Sequence, residues 1–561
     1  MESLPLYNWK IQNSDTNLSF TDVFLHARGL AQNHLDDFRL SERLHDPYLM
    51  RDMDRAVSRI EQAIAKRENI TIFGDYDADG VISTALMVKL FRKIDVPVKY
   101  IIPSRQNEGY GLRVSGVEKA LELNTRLLIT VDNGITAVEA VDAANKAGID
   151  VIIFDHHLQE GDLPAAYAVV NPNRTGCEYP FKGLCGAGVV YKLFQALGKK
   201  LFSEKDYKNF MLMHLDLVAL ATVADVVPIR DENYAIVKFG LKSINQTLRP
   251  GIVELKRVCG LIGKEITTTA VGFYMAPRLN VAGRLEAADH AVELLLSESR
   301  EKAEELAARL NSLNKKRQKM QEDYITEAVA LVEQSEMKDN KAYIITGESW
   351  ETGIIGIISG RLKDQFNRPV IVFTKDNDGN YVGSGRSTDN FHLTDALTQF
   401  NHLYITYGGH KKAAGLTVPP ENMPVFLKEF SAYVNKALAD ETPRQDLIID
   451  TIIDPEQLNQ SLVSLIQELG PFGEEYPEPV LLLQKARLKD IYSLSDGRHI
   501  KLIFGIGSRE FECVWWRRGE QKENIEFYKD YDIAFRPSIN LWNGRGKLQL
   551  IVEDLQLSGS N

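Results

Sequence analysis

The sequence predicts an α/β protein: a parallel-sheet domain, a long connecting helix, a second α/β domain and a C-terminal β-barrel. Three patterns lead to that reading. Apolar runs alternate with helical periodicity between residues 70 and 160. One helical pattern runs unbroken from about Ser299 to Gln334. Beyond about residue 446 the chain turns to short strands with little helix. A length of 561 residues suits roughly three to five domains. The expected divisions are 1–295, 296–338, 339–445 and 446–561, the first taking in an N-terminal extension.

In the first domain Ile70-Thr71-Ile72-Phe73 is a short β-branched run that reads as a strand. Val81 to Lys93 follows as a helix, with Ile82, Ala85, Leu86 and Leu90 in register. Val98–Ile102 and Leu127–Val131 are the next strands, the second ending at Asp132. Ala137–Ala147 reads as a helix closed by Gly148, and Val151–Phe154 as a strand ending at Asp155. Wholly apolar strands separated by helices indicate a parallel sheet covered on both faces. Ligands bind beyond the carboxyl ends of such strands. The long helix, with Ala303, Leu306, Leu310, Leu313 and Met320 in helical steps, would span about 50 Å at 1.5 Å per residue. That length favours a spacer between two lobes. The second lobe reads as strand Ala342–Thr346, helix Gly353–Phe366 and strand Val370–Thr374, ending near Pro443. In the tail, Leu481–Tyr492, His499–Gly505, Phe511–Arg517, Tyr531–Ile539 and Leu548–Val552 read as strands, with a hairpin turn at Asn543-Gly544. Such a run of short strands suggests a small barrel.

Composition narrows the function. The hydrophobic share is 44% and the charged share 25%, which excludes wholesale disorder. Lys+Arg is 66 and Asp+Glu is 77, a net charge of −11 that argues against coating nucleic acid by bulk charge. A local basic groove is still allowed. The four cysteines, Cys177, Cys185, Cys259 and Cys513, form no CxxC pair, so a zinc ribbon or disulfide framework is not expected. No signal-peptide pattern and no membrane-spanning apolar run is present, so the expected compartment is the cytoplasm.

The chemistry gathers at the strand ends. Asp75, Asp77 and Asp79 alternate in Phe73-Gly74-Asp75-Tyr76-Asp77-Ala78-Asp79-Gly80. A calcium loop would need Glu at its twelfth position, where this chain has Leu86. The remaining reading is a turn presenting carboxylates into a crevice. Asp132-Asn133-Gly134 and Asp155-His156-His157 end two further strands, and Asp225 follows the apolar helical run Leu217–Val223. A solitary Asp after a strand is common; three acidic strand ends in one sheet, one with paired histidines, are not. Carboxylates with imidazole and no thiolate suit Mn²⁺ or Mg²⁺. Five or more ligands exceed the need of one ion, and a pair of ions is the usual arrangement for phosphoryl transfer.

These ordered motifs resemble the DHH phosphoesterase superfamily, and within it the RecJ family of bacterial single-strand-specific 5′→3′ DNA exonucleases. The resemblance runs nearly the whole chain. It implies a DHH catalytic domain, a DHH-associated nucleic-acid-binding domain and a C-terminal OB-fold domain. It also implies that Asp77 and Asp132 hold one ion and that Asp79, Asp132, His156 and Asp225 hold the other, with Asp132 as the bridge. Asp75 stands where related pyrophosphatases have histidine, which leaves open whether it ligates directly. His157 would face the substrate phosphate, and Asp155 would orient its neighbours.

The family pattern extends to substrate binding. Arg105 would lie near the 5′-terminal phosphate with Ser384 and Arg386 of Gly383-Ser384-Gly385-Arg386-Ser387. Arg278, Asn280 and Arg284 lie in a short basic stretch, expected to be a loop, that matches another motif of the family. His410, in Gly408-Gly409-His410, would lie along the DNA backbone. In the tail, Trp515-Trp516-Arg517-Arg518 combines aromatic and basic residues as single-strand binders do. Strand alternation would bury one tryptophan and expose the other. The activity implied is release of mononucleotides from the 5′ end of single-stranded DNA by a monomer, in recombination and repair, alongside single-strand-binding protein and a RecQ-type helicase. Two alternatives are a DHH phosphodiesterase acting on short oligonucleotides or cyclic dinucleotides, and a repair scaffold with a dead core. The first usually lacks the β-rich tail and long helix; the second should have lost metal ligands.

Overall fold

Ile70–Phe73 (β1) is buried along its whole length because it pairs on both edges and is covered on both faces. In the computed structural model it is followed by helix Ala78–Lys93 (α1) and strand Val98–Ile101 (β2). Leu127–Val131 (β3), Asp150–Phe154 (β4) and Ala168–Val170 (β5) complete a five-stranded sheet in the order β2-β1-β3-β4-β5, parallel throughout. Alternate residues feed two cores. Ile70, Ile72, Leu127, Ile129 and Ile152 enter one, and Phe73, Leu128, Val151 and Ile153 the other. The structure describes residues 4–13, 19–30, 38–104, 109, 111–286, 288–334, 336–439, 444–542 and 545–559.

The chain divides into two compact units, residues 39–441 and residues 1–38 with 442–561. In the first unit, helices Gly186–Leu201 (α2) and Glu204–Ala224 (α3) pack on the parallel sheet's side. The long helix is Arg300–Glu333 (α4), 34 residues, started by Ser299, whose Oγ accepts the Lys302 N–H at 3.2 Å. The second lobe follows: Tyr343–Thr346 (β6), helix Thr352–Phe366 (α5), Val370–Lys375 (β7), Tyr381–Arg386 (β8), Thr406–Gly409 (β9) and Ala413–Val418 (β10). Their sheet order is β9-β10-β8-β7-β6, with only β6 and β7 parallel.

The second unit contains Asp446–Ile452 (β11), Leu481–Leu494 (β12), His499–Ile506 (β13), Arg509–Trp515 (β14), Asp530–Trp542 (β15) and Arg545–Leu557 (β16). β12 pairs with both β13 and β15, which closes a five-stranded barrel through β14 and β16. The expected Asn543-Gly544 turn and Pro443 lie outside the described residues.

The N-terminal segment departs from expectation. It does not extend the parallel-sheet domain. Strand Asn8–Asn13 pairs in parallel with β11, Asn8 opposite Asp446. Buried Asp554 is the anchor: it accepts the Leu6 and Tyr7 N–H groups at 3.1 Å each and Trp9 Nε1–H at 2.8 Å. Arg28 adds an ion pair to buried Asp450 at 2.5 Å. No helix among the described residues is long and apolar enough to cross a membrane.

Candidate functional site

The carboxyl ends of β1, β3 and β4 carry the acidic motifs side by side. Asp75 follows β1, and the first turn of α1 closes over it: a Cβ on Gly80 would lie 2.6 Å from the Asp75 backbone. Asp77 caps α1, its Oδ1 accepting the Gly80 N–H at 3.0 Å. Asp132, after β3, sits in the left-handed region at φ 62°. Thr130 Oγ donates to the Asn133 carbonyl at 2.8 Å, and Asn133 Nδ2 to that of Val131 at 2.9 Å, so the turn is held in that shape. Asp225 ends α3.

Ligand-type atoms of these residues lie within 4.8 Å of one another in three overlapping sets. Asp75, Asp77 and Asp132 form one; Asp79, His156 and Asp225 form the second; Asp132, His156 and His157 form the third. His156 Nε2 is buried, has no hydrogen-bond partner among the described residues, and lies 3.1 Å from Asp132 Oδ1, 3.6 Å from Asp225 and 3.8 Å from Asp79. Asp132 belongs to the first and third sets, and its Oδ1 lies 3.1 Å from His156, which the second and third sets share.

The charges are out of balance without a cation. Burial, reinforced by neighbouring carboxylates, raises Asp132 and Asp225 well above the usual carboxylate range, and burial also raises Asp79. Burial lowers the pKa of His156, which favours the neutral imidazole that a metal requires. Oxygen ligands with one imidazole fit Mn²⁺ or Mg²⁺. The residues present therefore fit a pair of such ions.

Asp155 has a separate task. It is fully buried and accepts four N–H groups: His156 N at 2.7 Å, His157 N at 3.1 Å, Ile135 N at 2.9 Å and His157 Nδ1 at 2.7 Å. Burial alone would raise its pKa; the His157 hydrogen bond and charge, helped by His156 and Ile135, hold it at about 2. Burial works against a charged His157, but Asp155 outweighs it and the histidine's pKa is raised. The His157 side chain remains 42% exposed.

Sequence reasoning missed the scaffold around these groups. Asp79 accepts the Gly186 N–H at 2.5 Å and the Ala187 N–H at 2.9 Å, at the N-terminus of α2. Gly186 must lack a side chain, since a Cβ there would come within 2.8 Å of Asp132 Oδ1. Asn171 and Asn173 donate to the His157 and His156 carbonyls at 2.9 and 2.6 Å. The small residues Gly186-Ala187-Gly188 opening an apolar helix were the available signal for the first of these.

The expected substrate-binding residues fall into several places. Arg105 lies outside the described residues. The Arg278–Arg284 stretch is helical, not a loop: Ala276–Asn280 and Ala282–Leu285 are short helices. Asn280 Oδ1 accepts the Ala78 N–H at 2.7 Å and so holds the first turn of α1. Arg278 bonds Asn311 and the Tyr274 carbonyl at 3.0 and 2.6 Å, and Arg284 bonds the Gly353 carbonyl at 2.8 Å. Ser384 and Arg386 share β8, 3.3 Å apart, and both face Gly356 of α5. His410 is exposed after β9.

In the barrel, Trp515 is 2% exposed in the core and Trp516 is 50% exposed against His499. Trp515 is therefore corrected from a DNA-stacking candidate to a core residue, because β14 turns it inward. Arg517 is exposed, and Arg518 approaches Glu520 at 3.9 Å.

Comparison with known proteins matches residues 69–222 to the DHH family N-terminal domain, 339–436 to the DHHA1 domain and 449–554 to the RecJ OB domain. The single-stranded-DNA-specific exonuclease RecJ of Haemophilus influenzae is 33% identical over 97% of this chain and 97% of that protein. That of Bacillus subtilis is 39% identical over 92% of this chain, which spans 64% of the relative's length. A crystal structure of RecJ with Mn²⁺ from Thermus thermophilus superimposes with a TM-score of 0.83 at 27% identity, covering 99% of this chain and 80% of that one.

Proposed function

Because the chain belongs to the RecJ family of DHH phosphoesterases, we propose that it is a metal-dependent exonuclease that hydrolyses single-stranded DNA from the 5′ end to mononucleotides. The observation that carries the reading is buried Asp132, which shares one ligand set with Asp75 and Asp77 and lies 3.1 Å from His156 of the set formed with Asp79 and Asp225. Asp75, Asp77 and Asp132 would hold one ion, and Asp79, Asp132, His156 and Asp225 the other. When bound, a pair of Mn²⁺ or Mg²⁺ ions polarises the attacking water and neutralises charge on the phosphorus oxygens.

The chain's own residues do the rest. The N–H groups opening α2 keep Asp79 aimed into the cluster. Asp155 fixes the His157 ring through Nδ1 and favours its protonated form, so that Nε2 presents a proton to the substrate phosphate. Ser384, Arg386 and Arg105 would receive the 5′-terminal phosphate, which gives the enzyme its polarity. His410 would follow the strand's backbone, and Trp516 with Arg517 and Arg518 would hold more distant nucleotides. The reading places the protein in the cytoplasm as a monomer in recombination and repair, with single-strand-binding protein and a RecQ-type helicase as partners.

The test is a time course on 5′- and 3′-labelled single strands, a duplex and a dinucleotide, with Mn²⁺, Mg²⁺ or EDTA. Mononucleotide release from the 5′ label first, only on single strands and only with metal, is the expected result. Cleavage confined to the dinucleotide would replace the reading with a short-oligonucleotide phosphodiesterase.

A further inference from the structure

Asp79, His156 and Asp225, which form the second ligand set, come from three separate stretches of chain. One short segment, Lys182-Gly183-Leu184-Cys185-Gly186-Ala187, is tied to all three. Its far end holds Asp79 through the Gly186 and Ala187 N–H groups. Its near end offers two carbonyls, and a different asparagine takes each. Asn173 Nδ2 donates to the Lys182 carbonyl at 3.1 Å and to the His156 carbonyl at 2.6 Å. Asn233 Nδ2 donates to the Gly183 carbonyl at 2.6 Å and to the Pro228 carbonyl at 2.9 Å. Pro228 is three residues beyond Asp225, past Val226 in the left-handed region at φ 59°. Each amide thus uses both protons of one nitrogen to join the segment to a ligand-bearing stretch.

Asn233 is fully buried, and its Oδ1 has no hydrogen-bond partner among the described residues. Buried polar atoms are nearly always paired, so an amide kept here with its oxygen idle is kept for its two donors. A carboxylate of the same shape would set oxygen against both carbonyls. The base of this clasp is firm. Asn233 lies in the first turn of helix Asp231–Gln246, next to Glu232. Glu232 pairs with Lys192 of α2 at 2.7 Å, both wholly buried, and also accepts the Tyr179 hydroxyl. Neither charge can leave without stranding the other, so the start of that helix is locked to α2, whose first N–H groups hold Asp79. The two loops also touch directly: a Cβ on Gly183 would lie 3.4 Å from Pro228 Cδ. The first ligand set is held by other means. Asp77 caps α1, Asn280 holds the first turn of α1, and Asp132 is shaped by its own turn.

We propose that Asn173 and Asn233 are positioning residues for the ion held by Asp79, Asp132, His156 and Asp225. Together they clasp residues 182–187 and set the spacing of Asp79, His156 and Asp225, acting on backbone carbonyls rather than on ligand atoms. The inference rests on the reading of a two-ion centre and adds which of the two ions these outer amides serve. Hydrogen-bonded groups that orient metal ligands are typically worth about 10–100-fold in metal affinity.

The test titrates Mn²⁺ by isothermal calorimetry into the full chain and into its Asn233→Ala and Asn173→Ala variants, with thermal unfolding in EDTA to show that each is folded. In each variant one of the two sites should weaken by roughly 10–100-fold while the other keeps its affinity. Single-strand cleavage at low Mn²⁺ should fall by a like factor and recover as Mn²⁺ is raised. Asn173 is only half-buried, so its variant decides the matter where Asn233→Ala does not fold. Two wild-type affinities in either folded variant, or equal weakening of both sites, would overturn the clasp and leave the two-ion reading standing. A wild type that takes up fewer than two ions would overturn that reading and the clasp with it.

Discussion

Replacing Asp155 by Asn keeps the shape of the side chain and removes its charge. In the native fold Oδ1 accepts three N–H groups, from His156, His157 and the His157 ring, and Oδ2 accepts one from Ile135. An amide that keeps its oxygen on the three must turn its NH₂ toward the Ile135 N–H, donor against donor. Losing a hydrogen bond to a charged group costs about 1.5–3 kcal/mol. The depressed pKa gives a matching figure. From 3.8 to about 2 is about 2 units, or about 2–3 kcal/mol at 1.36 kcal/mol per unit. The folded pKa lies below the unfolded one, so this stability is present above pH ~4 and is lost as pH falls toward 2. Urea unfolding of both proteins in EDTA, read on the transition of the 39–441 unit, should show Asp155→Asn less stable by about 2 kcal/mol at pH 7, within what a domain can lose. The same variant should lower kcat at neutral pH, because His157 loses the partner that raises its pKa. A stability difference under about 0.5 kcal/mol, with kcat unchanged, would refute this account of Asp155.

Gly356→Ala puts a Cβ 3.1 Å from Ser384 Oγ and 3.4 Å from Arg386 Nη2. It should reduce the preference for a 5′-phosphorylated over a 5′-hydroxyl strand in single-turnover assays, as Arg386→Ala should to a greater degree. Trp515→Ala should destabilise the barrel unit by about 3–5 kcal/mol in thermal or urea unfolding. Trp516→Ala should leave that stability nearly unchanged and raise KM on long strands, since stacking is worth roughly 1–3 kcal/mol per base. A fragment of residues 39–441 should hydrolyse short oligonucleotides and bind long strands weakly by anisotropy. Removing residues 446–561 alone should instead give poorly soluble protein on size-exclusion chromatography, because it strips strand Asn8–Asn13 of its partner.

Four strands of the parallel sheet were legible because they are mainly apolar runs between helical patterns; the fifth, Ala168–Val170, was not read, being three residues long. Leu127–Val131 is buried at every position, and its end could be read from Asp132 alone. The ligand sets followed, since parallel neighbours bring their carboxyl ends together. Long-range choices were not legible. Nothing local in Leu6–Asn13 points to pairing with β11, more than 400 residues away; the attraction is buried Asp554, itself near the other end of the chain. The Arg278–Arg284 stretch read as a loop because Pro277 and Gly283 resemble turn residues. Pro277 instead sits in the first turn of a helix, where its missing N–H costs nothing, and a Cβ on Gly283 would lie 2.3 Å from the Tyr76 carbonyl. Asp132 shows the same limit at the site: its strand-end position was readable, but its left-handed backbone and the Gly186 approach come from tertiary packing.

The central claim is a two-ion centre joined through Asp132, and the most direct measurement counts the ions. Mn²⁺ bound per chain would be titrated by electron paramagnetic resonance in the wild type and in Asp132→Ala, with single-strand cleavage followed on the same samples. The account predicts two ions per wild-type chain, loss of both tight sites in the variant, and cleavage below a tenth of the wild-type rate, a barrier increase above about 1.4 kcal/mol, while strand binding persists. Two tightly held ions in Asp132→Ala, or a rate above that tenth, would contradict it.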